Sequence, residues 1–261
     1  MMLRKTLHII LYLLVVAGLV ALFGFAARYH QFKKCSKADI TITSLSGNYF
    51  IHHDDLKYTI NEHLDSLEGT IMTAERLMNV HRLISSNPFV ANANVFRTVQ
   101  GRVGIEITLR DPVVRVVNSN NQSFYIDSEG YMFPLSERHT ARVMIATGQI
   151  AVPFVAGAHV TDTIAGGHQD AHLSGLFQLV SFIHSESFWR AFIDHVYVTA
   201  DGKYELTPRN AVHIIQFGKA ERIAQKFRKL KMFYTGNLAQ KGWYYYKTIN
   251  LEFNNQVICS K

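Results

Sequence analysis

The sequence predicts an α+β protein carried on one N-terminal membrane-spanning helix. Three observations lead there. Leu7 to Ala27 is an apolar run with no formal charge, in which His8 is the one side chain that ordinarily titrates near neutral pH. Downstream, stretches of period-two alternation are interleaved with stretches in which apolar residues recur every three or four positions, the signatures of strands and helices. These elements fall into two groups, a short series ordered strand, helix, helix, strand, strand, and a longer series dominated by strands.

At about 1.5 Å per residue, the run from Leu7 to Ala27 is long enough to cross a hydrocarbon core about 30 Å thick. A cleaved signal peptide would also begin with basic residues, here Arg4 and Lys5, and Ala26 and Ala27 could serve as its cleavage site. Its apolar core, however, is normally about 7 to 15 residues, shorter than this one. A buried core helix would need a polar stripe that the run lacks. Arg28, Lys33, Lys34 and Lys37 follow the run, so flanking charge does not set its orientation. The tail of residues 1–6 is too short to hold a domain, and we read it as cytoplasmic, with 7–27 crossing the membrane and 28–38 as a polar connector to an exported remainder.

That remainder has room for one large or two ordinary domains. The formal net charge is +7, of which Arg4 and Lys5 supply two. The surplus is modest, and no dense Lys/Arg block marks a nucleic-acid surface. The two cysteines, Cys35 and Cys259, do not make a disulfide framework, and whether they pair is open.

Asp39 to Leu45 alternates as a strand, and Ser46-Gly47-Asn48 ends it with turn chemistry. Asp54 and Asp55 open a helix with Leu56, Ile60 and Leu64 on one face. Thr73 caps a second helix that carries Leu77, Val80, Leu83 and Ile84 and stops at Asn87-Pro88. Phe89 to Thr98 and Val103 to Arg110 are two strands joined by a turn at Gln100-Gly101.

Phe124 to Pro134 reads as a hairpin turning at Asp127-Ser128-Glu129-Gly130, where Gly130 can take positive φ. Arg142 to Thr147 and Ile150 to Val155 are strand-like, and residues 157–170 form a Gly-rich connection. A helix to about His184 buries Leu173, Leu176, Phe177, Val180 and Ile183. Strands follow at Ile193 to Thr199, Lys203 to Thr207 and Ala211 to Phe217. A helix from Lys219 to about Tyr234 buries Ile223, Phe227 and Leu230, with Arg222, Lys226 and Lys229 on a neighbouring solvated face. Lys247 to Cys259 alternates as a last strand that breaks at Asn254-Asn255 and resumes.

Little here points to catalysis. Asp127 and Glu129 are a possible carboxylate pair, but the hairpin turn accounts for them. His168, Asp170 and His172 are the best metal candidates, yet two glycines precede them where a shared helix face would have to start. His52 and His53 fit a solvated helix mouth. No G-x-S-x-G, H-E-x-x-H or phosphate-binding glycine loop is present. The residues therefore indicate no catalytic, cofactor or metal site. Strand addition at the end of the chain has better support, because a last strand at a sheet edge would leave backbone N–H and C=O groups free to pair.

The first series, with Asn87-Pro88-Phe89-Val90 before its second strand and Ile105 to Val113 closing its third, resembles a POTRA domain over residues 39–111. Following a single membrane helix, and followed by the Phe124 to Pro134 hairpin, it resembles the FtsQ/DivIB family. Phe217-Gly218-Lys219 and Ile249-Asn250-Leu251-Glu252-Phe253 are similar to the closing motifs of that family's β domain, here over residues 112–261. Asn250 and Glu252 stand where the family usually has an acidic and a basic residue, and Phe253 where it has tyrosine. The resemblance implies a mixed or antiparallel β domain with two helices, in a non-catalytic scaffold of the division septum, single-pass in the cytoplasmic membrane. It implies FtsB and FtsL as partners, with Leu251, Phe253, Asn254, Asn255, Val257 and Ile258 meeting a partner strand and Arg222, Lys226 and Lys229 attracting acidic groups beside it. The POTRA domain would contact other division proteins. The alternative, an envelope assembly or secretion factor using POTRA as a chaperone-like module, would need several POTRA repeats or a membrane barrel, and the sequence has one repeat and no long series of barrel strands.

Overall fold

The structure is a computed structural model that describes residues 12–22, 34–162, 171–210, 212–238, 241–254 and 256–261. Residues 12–22 form helix α1, whose apolar side chains, among them Tyr12, Leu14, Val20 and Leu22, are exposed. The remainder of the predicted span lies outside the described residues. No helix among the described residues is long and apolar enough to cross a membrane. The described residues separate into two units: one takes in Ile51–Leu109 and the described residues up to Thr43, the other Ser44–Phe50 and the described residues from Arg110 to Lys261.

The first unit has the predicted order. Strand β1 (Ala38–Thr43), helices α2 (His53–Leu64) and α3 (Ala74–Ser85), and strands β2 (Val90–Arg97) and β3 (Val103–Leu109) build a three-stranded sheet in the order β1-β3-β2. Strand β3 is central, parallel to β1 and antiparallel to β2. It takes that place because Val103, Ile105, Ile107 and Leu109 alternate with smaller or polar residues and are all buried. Helix α3 starts at Thr73, whose hydroxyl accepts from Arg76 N at 3.2 Å, and α2 starts where the Asp55 carboxylate accepts from His52 N at 3.1 Å. Leu56, Ile60, Val80 and Ile84 are the buried face of the helix pair, each contributing about 1.5–3 kcal/mol by leaving water.

The second unit is a nine-stranded mixed sheet. Its elements are β4 (Pro112–Val117), β5 (Ser123–Asp127), β6 (Met132–Pro134), β7 (Met144–Gly148), α4 (Ala171–Ser185), α5 (Ser187–Phe192), β8 (Ile193–Val198), β9 (Tyr204–Pro208), β10 (Ile214–Gly218), α6 (Ile223–Phe233) running into a π turn at Tyr234–Leu238, β11 (Thr248–Asn250) and β12 (Ile258–Ser260). The strands lie in the order β12-β11-β10-β9-β8-β7-β4-β5-β6. β4–β7, β7–β8 and β10–β11 are parallel. The core packs α4 (Leu173, Leu176, Leu179, Val180, Ile183), Trp189 of α5 and Phe227 and Leu230 of α6 with the strands. Phe227 stacks on Phe182 at 5.1 Å and meets Trp189 at 4.8 Å between ring centroids. Phe50 packs against Tyr125 and Phe133 at 5.9 and 5.7 Å.

Four expectations are corrected. Residues 150–155 are not a strand: Ile150 and Val152 are buried, but the backbone is held by side chains, Asn118 Nδ2 donating to Val152 O at 2.8 Å and Phe154 N to Gln122 Oε1 at 3.1 Å. Helix α5 is additional, giving this unit three described helices instead of two. Helix α6 begins at Ile223 and not at Lys219, because Gly218 (φ 73°) and Arg222 (φ 51°) turn the chain first. The last alternating stretch folds back on itself as β11 and β12 and does not run on as one strand.

Candidate partner-binding edge

The fold-back at the C-terminus decides which backbone is available to a partner. β11 pairs with β10 in parallel, Ile215 opposite Ile249, and with β12 antiparallel, Ile249 opposite Cys259. β11 is therefore interior. β12 is the end of the sheet, with no strand on its outer side among the described residues. Exposed apolar groups at this end of the chain are Ile258 on β12, Phe253 in the turn before it and Tyr245 just ahead of β11, while Trp243, also part-exposed, packs against Phe192 and Tyr234 at 5.8 and 5.5 Å. Lys261 Nζ sits 4.4 Å from the Tyr245 ring centroid, which ties that ring to the chain end.

The expected partner residues separate on this geometry. Ile258 and Phe253 are exposed, Val257 is half-buried against the core, and Asn254 is exposed and accepts from the Arg222 guanidinium. Asn255 lies outside the described residues. Leu251 is corrected: its side chain is 0 % exposed in the core, and its N–H donates to Gln216 O at 2.9 Å.

The basic face of α6 is corrected as well. Lys226 is buried, and its Nζ donates to the carbonyls of Phe217 and Lys219 at 2.8 Å each while lying over the Phe217 ring. Burial pushes its pKa down, and the neighbouring Arg222 works the same way. Its charge closes the turn after β10 instead of facing solvent. Lys229 is half-buried and collects three carbonyls, Leu251 at 3.2 Å, Phe253 at 2.7 Å and Gln256 at 2.9 Å. It thereby holds the irregular backbone between β11 and β12, where no ladder satisfies those oxygens. A groove of about 670 Å³ runs along this side, lined by Arg222, Arg228, Lys229, Met232 and Phe253 among others. Sequence reasoning missed Lys229's bonds and the aromatic cluster; the run Trp243-Tyr244-Tyr245-Tyr246 was a visible signal for the latter.

The other candidates have structural explanations. Asp127 Oδ1 accepts from Glu129 N at 3.0 Å and Tyr131 N at 2.8 Å, Oδ2 lies 2.6 Å from Arg110 Nη1, and Gly130 has φ 92°. This is turn chemistry. His53 Nε2 lies 3.0 Å from Ile40 O. His168 and Asp170 lie outside the described residues, and His172 is exposed. Among the described residues no group of three His, Cys, Asp or Glu is placed to hold a metal. Cys35 and Cys259 are both free thiols, the first buried and the second half-buried.

Comparison with known proteins agrees with this architecture. A POTRA-like domain model matches residues 33–108. Comparison with curated proteins gives no match. A family model described as FtsQ/DivIB, C-terminal related, matches residues 111–260, more than half of the chain and nearly the whole of the nine-stranded unit. With that match, the chain belongs to the FtsQ/DivIB C-terminal related family.

Proposed function

We propose that the protein is a non-catalytic scaffold of the cell-division machinery that holds FtsB and FtsL at its C-terminal edge and so links early division proteins to septal wall synthesis. In this reading residues 7–27 anchor the chain in the cytoplasmic membrane with the N-terminus inside, and a POTRA domain (39–111) and a β domain (112–261) work outside it, the first meeting other division proteins. Family membership supports the division setting, and the exposed apolar side chains of α1 support the anchor. The observation that carries the proposal is β12: an end strand in the family-defining unit, open on its outer side among the described residues and flanked by exposed aromatic groups. A partner strand added there would continue the ladder, and Ile258 and Phe253 would give it apolar anchors.

The test is binding of the full chain in detergent micelles to the exported segments of FtsB and FtsL from the same cell, for wild type, Ile258→Ala and Ile258→Pro. Alanine keeps the backbone donors and should weaken binding by about tenfold at most through lost apolar contact. Proline removes a donor and should abolish binding, with tryptophan fluorescence reporting an intact fold. A wild-type chain that binds neither segment, alone or together, overturns the proposal.

A further inference from the structure

A second cleft in the nine-stranded unit carries unbalanced charge. It encloses about 530 Å³ beside the start of β4, the segment entering β7, the end of α4 and helix α5. Three arginines line it, Arg142, Arg190 and Arg209. Arg209 is held by Asp194 at 3.1 Å, whereas Arg142 and Arg190 have no carboxylate within ion-pair reach among the described residues. Of the two histidines in the lining, His139 is tied to Asn48 at 2.8 Å. His184 is pushed below its ordinary value by burial, Asp111 opposing the shift and Arg190 reinforcing it. The arginines carry their charge at any ordinary pH.

Facing them is one carboxylate, Asp111, and its Oδ1 is buried with no hydrogen-bond donor among the described residues. An acceptor buried without a donor is costly, and beside two unmatched guanidinium groups it suits a ligand that brings both an acceptor and a donor. We propose that this cleft binds a short peptide bearing a carboxylate, which lies between Arg142 and Arg190 while a peptide N–H donates to Asp111 Oδ1. The planar fork of arginine matches a carboxylate in two parallel bonds. A carboxylate without an N–H would leave Asp111 unsatisfied and meet its negative charge. The volume suits a few residues of extended chain. This site is separate from the β12 edge and does not depend on the division reading.

The test is fluorescence anisotropy of labelled tetraglutamate with the full chain in detergent micelles at low salt, with citrate as a competitor that carries carboxylates but no N–H. Saturable binding is expected, weakened about tenfold by Arg142→Gln and by Arg190→Gln. Lys57→Gln, the same charge loss at an exposed side chain of α2, should change it less than about twofold. Asp111→Ala should lower the affinity for tetraglutamate relative to citrate by about tenfold, because only the peptide loses a partner. The inference is overturned by the absence of saturable binding, by an equal loss in Lys57→Gln, or by Asp111→Ala tightening both ligands alike, which would make Asp111 a repulsive charge and nothing more.

Discussion

Replacing Asp127 by alanine should be among the most damaging single changes in the nine-stranded unit. Its side chain is 2 % exposed, and it accepts two backbone N–H groups of the β5–β6 turn as well as the Arg110 guanidinium. Arg110 also lies 4.8 Å from the Tyr131 ring centroid, so carboxylate, arginine and ring form one stack. Removing one partner of a buried ion pair costs about 3–5 kcal/mol. The two turn N–H groups lose their acceptor in the same step, although water can reach part of the turn, and we take about 4 kcal/mol as the net effect. With a urea dependence of about 2 kcal/mol per molar for a unit of this size, the unfolding midpoint should fall by about 2 M. Trp189 and Trp243 are the two tryptophans of the chain, and both lie in this unit, so their fluorescence reports its unfolding without labels. Asp127→Asn keeps one acceptor oxygen and should lose about half as much. A midpoint shift under about 0.5 M for the alanine variant would refute the account of the turn.

Three further outcomes follow from the same geometry. Gly148 has φ 106°, and an added Cβ would lie 2.2 Å from Val198 O, so Gly148→Ala should destabilise by about 3 kcal/mol or more. Gly47, with φ 76° and nothing within 4 Å, should lose only about 1 kcal/mol on the same substitution; equal losses in urea unfolding would remove the steric argument. Burial holds the pKa of His184, His195 and His213 below the ordinary 6.5. The unfolded chain then binds more protons as pH falls through 6.5, so stability is full above that value and declines from there down to the folded values. Tm should drop between about pH 7.5 and about pH 5.5, less steeply in His213→Gln, which keeps a partner for the Tyr234 hydroxyl; a Tm that is flat with pH contradicts this. Lys229→Met removes the donors of three carbonyls, which water replaces in part, and should cost about 1–2 kcal/mol, read chiefly as faster amide hydrogen exchange across residues 251–261. Unchanged exchange there would mean that Lys229 does not hold the turn.

Elements whose cause is local could be read from the sequence. Strand β3 declares itself by alternation, α3 by Thr73 and its apolar spacing, and the β5–β6 turn by Asp127 and Gly130. What escaped has a distant cause. Alternation from Lys247 to Cys259 states which side chains share a face but not which strand is the neighbour. The reversal inside it is held by Lys229 and Arg222 of the α6 region, more than twenty residues earlier. Arg222, Lys226 and Lys229 read as one stripe at helical spacing, but Arg222 stands outside α6 in a left-handed conformation, so the stripe is broken at its first member. Lys226 is then drawn under the helix start by the carbonyl of Phe217 in β10 and that of Lys219 just beyond it.

The size of β12 bears on how a partner could be held there. Three residues offer at most two or three new backbone bonds on the open side, worth about 0.5–1.5 kcal/mol each. A micromolar complex needs about 8 kcal/mol net of the entropy lost on association. Strand addition by itself falls short, so the proposed edge must draw most of its affinity from side chains. The apolar groups available are Ile258, Phe253 and the ring of Tyr245, which Lys261 holds beside the chain end. Phe253 depends on the turn that Lys229 organises through the carbonyls on either side of it. The backbone of β12 thus sets register, while the anchoring groups are positioned by the irregular turn and by the loop before β11, the two places where the alternating pattern carries no information.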